Sequence, residues 1–197
     1  GLDPEEFVSR NRALLAALPL CEGIPFELFE PFFLQCEYRR LHPGELLLAP
    51  GAPNHHLYLL LSGEIEIYVD FVGSTKKFAV AVGEFVGEVS IIDGLAPTGF
   101  VAATAESVVL AIHDSVLWSE FFRIPGSARN LLRQLARRMR ERNVAIQKSV
   151  EQTLRLEHLE KELRIARDLQ ASMLPVRPLL PRHSAVVVDA LMEPAKE

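Results

Sequence analysis

Val86-Gly87-Glu88-Val89-Ser90 is the stretch of this sequence best equipped for chemistry. Gly87 can take a positive φ or let a ligand approach the backbone closely. The amides that follow would open a one-turn helix, and a helix N-terminus attracts anions. Glu88 sets a carboxylate beside those amides. A carboxylate repels phosphate but accepts hydrogen bonds from hydroxyl groups. The combination suits a sugar phosphate, with Glu88 on the sugar and the backbone of Gly87, Glu88, Val89 and Ser90 on the phosphate. Thr98, in the Pro-containing loop beyond, can add one neutral hydrogen bond. No residue is assigned to catalysis.

The elements that must hold this stretch read as follows. Asp3-Pro4-Glu5-Glu6 starts a helix running to about Ala17, with Asp3 as its cap and Pro4 in the first helical position. A second helix, Phe26 to Cys36, carries Phe29, Phe32 and Phe33 as a packing cluster. From Tyr38 the hydrophobic period falls to two. Tyr38–Leu41, Glu45–Ala49, His56–Ser62, Glu64–Asp70, Phe78–Val82 and Ser107–His113 read as short strands between Gly and Pro turns. Regular short strands of this kind make an antiparallel barrel or roll. Trp118, Phe121 and Phe122 fall on a short helix after the barrel and read as packing, with Trp118 also able to close over a base. His55-His56 reads as a solvated loop, since neighbours on a strand point to opposite faces and chelate poorly together. Lys76-Lys77 reads as a solvated hairpin tip.

Gly87-Glu88 and its flanking strands resemble the phosphate-binding cassette of the cyclic nucleotide-binding domain family, as does the run Leu57 to Glu64. The resemblance implies a mainly β fold with α: a double-stranded β-helix, or jelly-roll, with N-terminal helices. It implies cyclic AMP or cyclic GMP as ligand, with Glu88 on the ribose hydroxyl. In that family an arginine pairs with the cyclic phosphate. Here the aligned positions hold Ala96, Pro97 or Thr98. Losing one such contact costs about 1.5–3 kcal/mol, about 10- to 150-fold in affinity.

After Pro125-Gly126, Ser127 can cap a helix free of Pro and Gly until Pro175, about 47 residues and about 70 Å long. Leu131, Leu135, Met139, Arg142, Ile146, Ser149 and Thr153 follow a 4/3 spacing. After a phase slip, Leu156, Leu159, Leu163, Ala166, Gln170 and Met173 follow it again. This is a coiled-coil seam, and its simplest partner is a second copy in parallel. Arg133, Arg137, Arg138, Arg140 and Arg142 read as a solvated face. The run Glu162 to Pro175, with Ala185 to Glu197, resembles the entry into bacterial PPM-type (SpoIIE-like) serine/threonine phosphatase domains. That resemblance implies a phosphatase in cis, whose Mg- or Mn-binding carboxylates would lie beyond Glu197.

The domain reading is therefore 1–36 helices, 37–126 barrel, 127–174 signalling helix, and 175–197 linker and phosphatase start. The 197 residues are 49% hydrophobic, which suits one packed domain plus an extension. A net charge of −5 argues against a dedicated nucleic-acid binder. No apolar run approaches the about 18 residues that cross a bilayer. Cys21 and Cys36 could make one disulfide but form neither a metal-type pair nor a dense framework, and they read as reduced, buried thiols of a cytoplasmic protein. The sequence reads as a fragment of a longer regulatory protein without catalysis of its own. The alternatives are a ligand-free dimerisation module and a catabolite-activator-type transcription regulator. The uninterrupted long helix leaves no break for the helix-turn-helix of the latter.

Overall fold

The computed structural model describes residues 1–172. The chain divides into two units, residues 1–137 and 138–197. In the first unit, Asp3 Oδ1 accepts the Glu5 amide at 3.1 Å and α1 (Pro4–Arg10) begins where expected. The helix does not continue to Ala17. Asn11 donates its side-chain amide to the Phe7 carbonyl at 2.9 Å and leaves the helical region, with φ −114°. A short polar side chain competing for a helix carbonyl divides the segment, and α2 (Arg12–Ala16) follows as a separate turn. A 3-10 turn, Pro19–Cys21, leads to α3 (Phe26–Phe33). This helix also stops short of Cys36. There the backbone tightens into three-residue bonds, Gln35 N to Phe32 O and Cys36 N to Phe33 O.

The strands are β1 (Glu37–Leu41), β2 (Leu46–Leu48), β3 (His56–Ser62), β4 (Ile65–Tyr68), β5 (Lys77–Val80) and β6 (Phe85–Val86). Then come α4 (Glu88–Asp93), β7 (Phe100–Ala103), β8 (Ser107–His113), α5 (Asp114–Ser119), a 3-10 turn at Phe121–Arg123 and α6 (Ser127–Ser172). They build two four-stranded sheets, β1-β8-β3-β6 and β2-β7-β4-β5, with antiparallel pairing throughout. This is the two-sheet roll expected. β2, β4 and β5 are shorter than the sequence pattern suggests.

β3 reads as a continuous apolar run because both of its faces are covered. Tyr58 and Leu60 join Leu41, Val86 and Val109 between the sheets. Leu57, Leu59 and Leu61 meet Phe29, Leu110 and Phe121 on the helical side. The phenylalanine cluster of α3 is core, with Phe29, Phe32 and Phe33 no more than 2% exposed. The first turns of α6 are tied to this layer. Buried Asn130 donates to the carbonyls of Leu20 (3.0 Å) and Glu22 (2.9 Å). Ser127 does not cap α6 from outside. It is the first residue of the helix, and its hydroxyl donates to the Phe121 carbonyl at 2.7 Å.

The expected seam divides along with the chain. Leu131, 5% exposed, and Leu135 pack onto the helical layer of the first unit rather than awaiting a second copy. In the second unit α6 is continuous to Ser172, with Ile146, Leu156, Leu159 and Leu163 each about half exposed. Arg138, placed on the solvated face by its sequence, is buried at 8% exposure. The remaining seam position Met173 and the segment 175–197 lie outside the described residues. Among the described residues, no helix is long and apolar enough to cross a membrane.

Candidate ligand-binding site

α4 is positioned by one glycine and one asparagine. Gly87 is its N-cap at φ +89°, ψ 2°. A Cβ there would stand 2.8 Å from the His56 carbonyl and 2.9 Å from Asn54 Nδ2. The positive φ anticipated at Gly87 is present, and the close approach is made by the protein's own Asn54 and His56. Asn54 is the organising residue that sequence reading missed. Its Nδ2 faces the His56 carbonyl (2.9 Å), the Gly87 carbonyl (3.4 Å) and Ser90 Oγ (2.8 Å). Its Oδ1 accepts the His56 amide at 3.0 Å. No spacing rule distinguishes an asparagine before a strand from a loop residue, so the signal was absent.

The structure brings Gly87, Glu88, Val89 and Ser90 together at the first turn of α4. Ser90 is buried, and its hydroxyl donates to the Gly87 carbonyl at 3.0 Å while accepting from Asn54. It fastens the turn. Glu88 is 9% exposed, an unusual place for a carboxylate. Val89 is 58% exposed. Thr98 is exposed in the loop between α4 and β7, where the Pro97 carbonyl accepts the Gly51 amide at 3.3 Å.

Glu88 also borders a cavity of about 210 Å³ under α4. Leu57, Ile91, Leu117, Phe122 and Leu131 line its apolar wall. Trp118 corrects its expected core placement: it lines this cavity, stacks on Phe122 at 4.9 Å and is 53% exposed. Phe121 takes the core position instead, fully buried.

Neither lysine of the β4–β5 hairpin supplies the missing arginine. Lys76 Nζ lies 3.3 Å from Asp70, and Lys77 Nζ lies 2.9 Å from Glu66. Hydrogen bonds from Tyr68 and then Lys77 hold Glu66 below the usual carboxylate range. His55 and His56 are not a plain solvated loop either. His55 Nδ1 is 3.2 Å from Asp114, and His56 is half-buried in β3. Among the described residues no group of three His, Cys, Asp or Glu can hold a metal ion.

Gly87→Ala combines a left-handed backbone with a clash against a carbonyl. It is expected to cost about 2 kcal/mol and to weaken α4, read as a lower urea midpoint at unchanged slope.

The family model described as cyclic nucleotide-binding domain matches residues 38–123. Over that span the chain is similar to that family. The domain is 29% identical over 111 residues to the cyclic AMP receptor protein of Thermus thermophilus, covering 55% of this chain and 51% of that protein. It is 29% identical over 98 residues to a cAMP-dependent protein kinase regulatory subunit of Hypocrea atroviridis, covering 50% of this chain and 20% of that one. The chain thus spans about half or less of these curated relatives. Among solved structures, the catabolite activator protein of Thermus thermophilus superposes with a TM-score of 0.55 at 26% identity, over 65% of this chain and 61% of that one. The sensor domain of the transcriptional regulator DNR from Pseudomonas aeruginosa shares the fold, with a TM-score of 0.56 at 20% identity, over 70% of this chain and 93% of that one.

Proposed function

We propose that this chain is the sensing part of a regulatory protein, in which a cyclic nucleotide held at the first turn of α4 biases the helices that follow the barrel. The family match over residues 38–123 carries this reading. Glu88 would take the ribose hydroxyls, and the amides of Glu88, Val89 and Ser90 the phosphate. Thr98 would add a neutral bond where the family has its arginine. For the ligand to act, it must bind two arrangements of the helices with different affinity. The cavity under α4, walled by α5 and the start of α6, is the space in which such arrangements can differ.

The exposed apolar positions of α6 beyond Arg138 support pairing with a second copy. The run from Glu162 onward supports a PPM-type phosphatase as the output domain, in a cytoplasmic protein. The second reading is a domain that keeps the fold without the ligand, serving as a dimerisation module. Ala96, Pro97 and Thr98 in place of an arginine favour it.

Calorimetric titration with cyclic AMP, then cyclic GMP, separates the two. Micromolar binding by the natural chain and at least a tenfold loss in Glu88→Ala are the expected results. No heat up to millimolar nucleotide overturns the sensing reading in favour of the ligand-free module.

A further inference from the structure

β8 ends and α5 begins inside a cluster of titratable groups that the cassette does not use. The register His56↔His113 sets two imidazoles side by side, with ring centroids 5.1 Å apart. His55, just before β3, stacks 6.3 Å from His113. Asp114 sits between them, with Oδ1 2.9 Å from His113 Nδ1 and Oδ2 3.2 Å from His55 Nδ1. From β1, the charges of Glu37 and Arg39 also act on His56.

One atom in this cluster carries incompatible duties. His113 is the N-cap of α5, its Nδ1 accepting the Ser115 amide at 3.2 Å, with Ser115 Oγ at 2.8 Å. Accepting requires Nδ1 to be bare. The carboxylate oxygen 2.9 Å away is an acceptor, and engages the same nitrogen only when it bears a proton. The protonation state of this imidazole therefore selects between the helix cap and the ion pair.

We propose that His113 is a proton-operated joint between the barrel and α5: neutral, it caps the helix through Ser115; protonated, it leaves the cap and pairs with Asp114. An imidazolium is also poorly placed at a helix N-terminus, which already bears partial positive charge. Burial, then the charge of His113, pushes His56 below the ordinary histidine value. Burial raises Asp114, but hydrogen bonds from His55 and the Ser115 amide, with the charges of His113 and His55, outweigh it and hold the acid ionised. The Ser115 amide, already shared with the Asp114 carboxylate, then keeps that acceptor alone. α5 carries Leu117 and Trp118 into the wall of the cavity, so a change at its first turn reaches the groups beneath α4. The joint operates with or without a nucleotide.

Trp118 is the chain's one tryptophan and lies on α5, which supplies a direct readout. The test follows the Ser115 amide resonance and Trp118 emission between pH 8 and 5. Both are expected to titrate together in the natural chain and to stay flat in His113→Asn, whose side chain caps without titrating. In Asp114→Asn the change at the Ser115 amide is expected to shrink at least twofold, because the ring and the amide both lose the carboxylate they would share. Flat signals in the natural chain overturn the proposal, and so does titration surviving in His113→Asn. An undiminished change in Asp114→Asn removes Asp114 as the partner. An amide that titrates while Trp118 does not removes transmission through α5.

Discussion

Gly63→Ala is expected to prevent stable folding. Gly63 closes the β3–β4 turn at φ +91°, where a Cβ is already disfavoured. Its α-carbon also faces the strand crossing on the other side. An added methyl would stand inside contact distance of Ser107 Oγ, the Glu106 carbonyl and Ser107 Cα. Two of those three atoms are backbone, and the third has no freedom to leave. Ser107 Oγ accepts the Glu64 amide at 2.9 Å and donates within reach of the Ala105 carbonyl at 2.8 Å. Relief therefore requires moving β8 away from the β3–β4 turn. β3 and β8 are the two central strands of their sheet, and their register already shifts between Leu60 and Ser62. The expected cost exceeds about 4 kcal/mol, against a total stability of about 5–15 kcal/mol for a domain. Loss of cooperative urea unfolding, or loss of soluble protein, is the readout. A midpoint near that of the natural chain would mean that the crossing yields. The contrast with Gly87→Ala is one of degree, because the nearest atoms there stand at 2.8 and 2.9 Å and only the first is backbone.

The second large effect is expected at Phe121. This ring is fully buried between the α3 cluster and the helices that follow the barrel. It lies 5.3 Å from Phe32, 6.2 Å from Phe29 and 5.4 Å from Phe122. Phe121→Ala removes the ring and leaves a void, costing about 3–5 kcal/mol. Phe121→Leu, which refills most of the space, is expected to cost about 1 kcal/mol. The order Ala well beyond Leu, measured by urea denaturation, checks that packing rather than a specific contact is lost. Equal losses in both would instead assign the stability to the aromatic stack. Trp118→Ala offers the comparison at an exposed ring and is expected to change stability far less.

How far the chain can be read without coordinates depends on which physical rule is local. Gly87, the turns and the β3 run were legible, because positive φ and hydrophobic period are written in single residues and their neighbours. The Asp3 cap was legible for the same reason. The break at Asn11 was not, because an asparagine near a helix centre signals competition for a carbonyl only once its side chain is seen to turn inward. β6, two residues long, has no period to detect. Asn54, which holds α4, and His113, which faces His56, owe their roles to partners 33 to 57 residues away in the chain. Strand register creates these relations, and no local pattern encodes them. Trp118 shows the opposite failure. Its type favours the core, yet Phe121 three residues on fills that position, and the tryptophan is left at the cavity.

One further consequence rests on the two thiols. Cys21 and Cys36 are both free and about 2% exposed, on either side of α3. Burial pushes Cys21 up to about 12 and Cys36 higher still, and Cys36 Sγ points at the Phe32 carbonyl at 3.3 Å. The thiolate is the species that alkylating reagents attack, so neither sulfur reacts while the helical layer stays closed. The speed of labelling therefore becomes a clock for the opening of this layer, with one hand before α3 and one after it. Mass spectrometry after a timed pulse of reagent would tell whether α3 breathes on its own or only when the whole domain lets go.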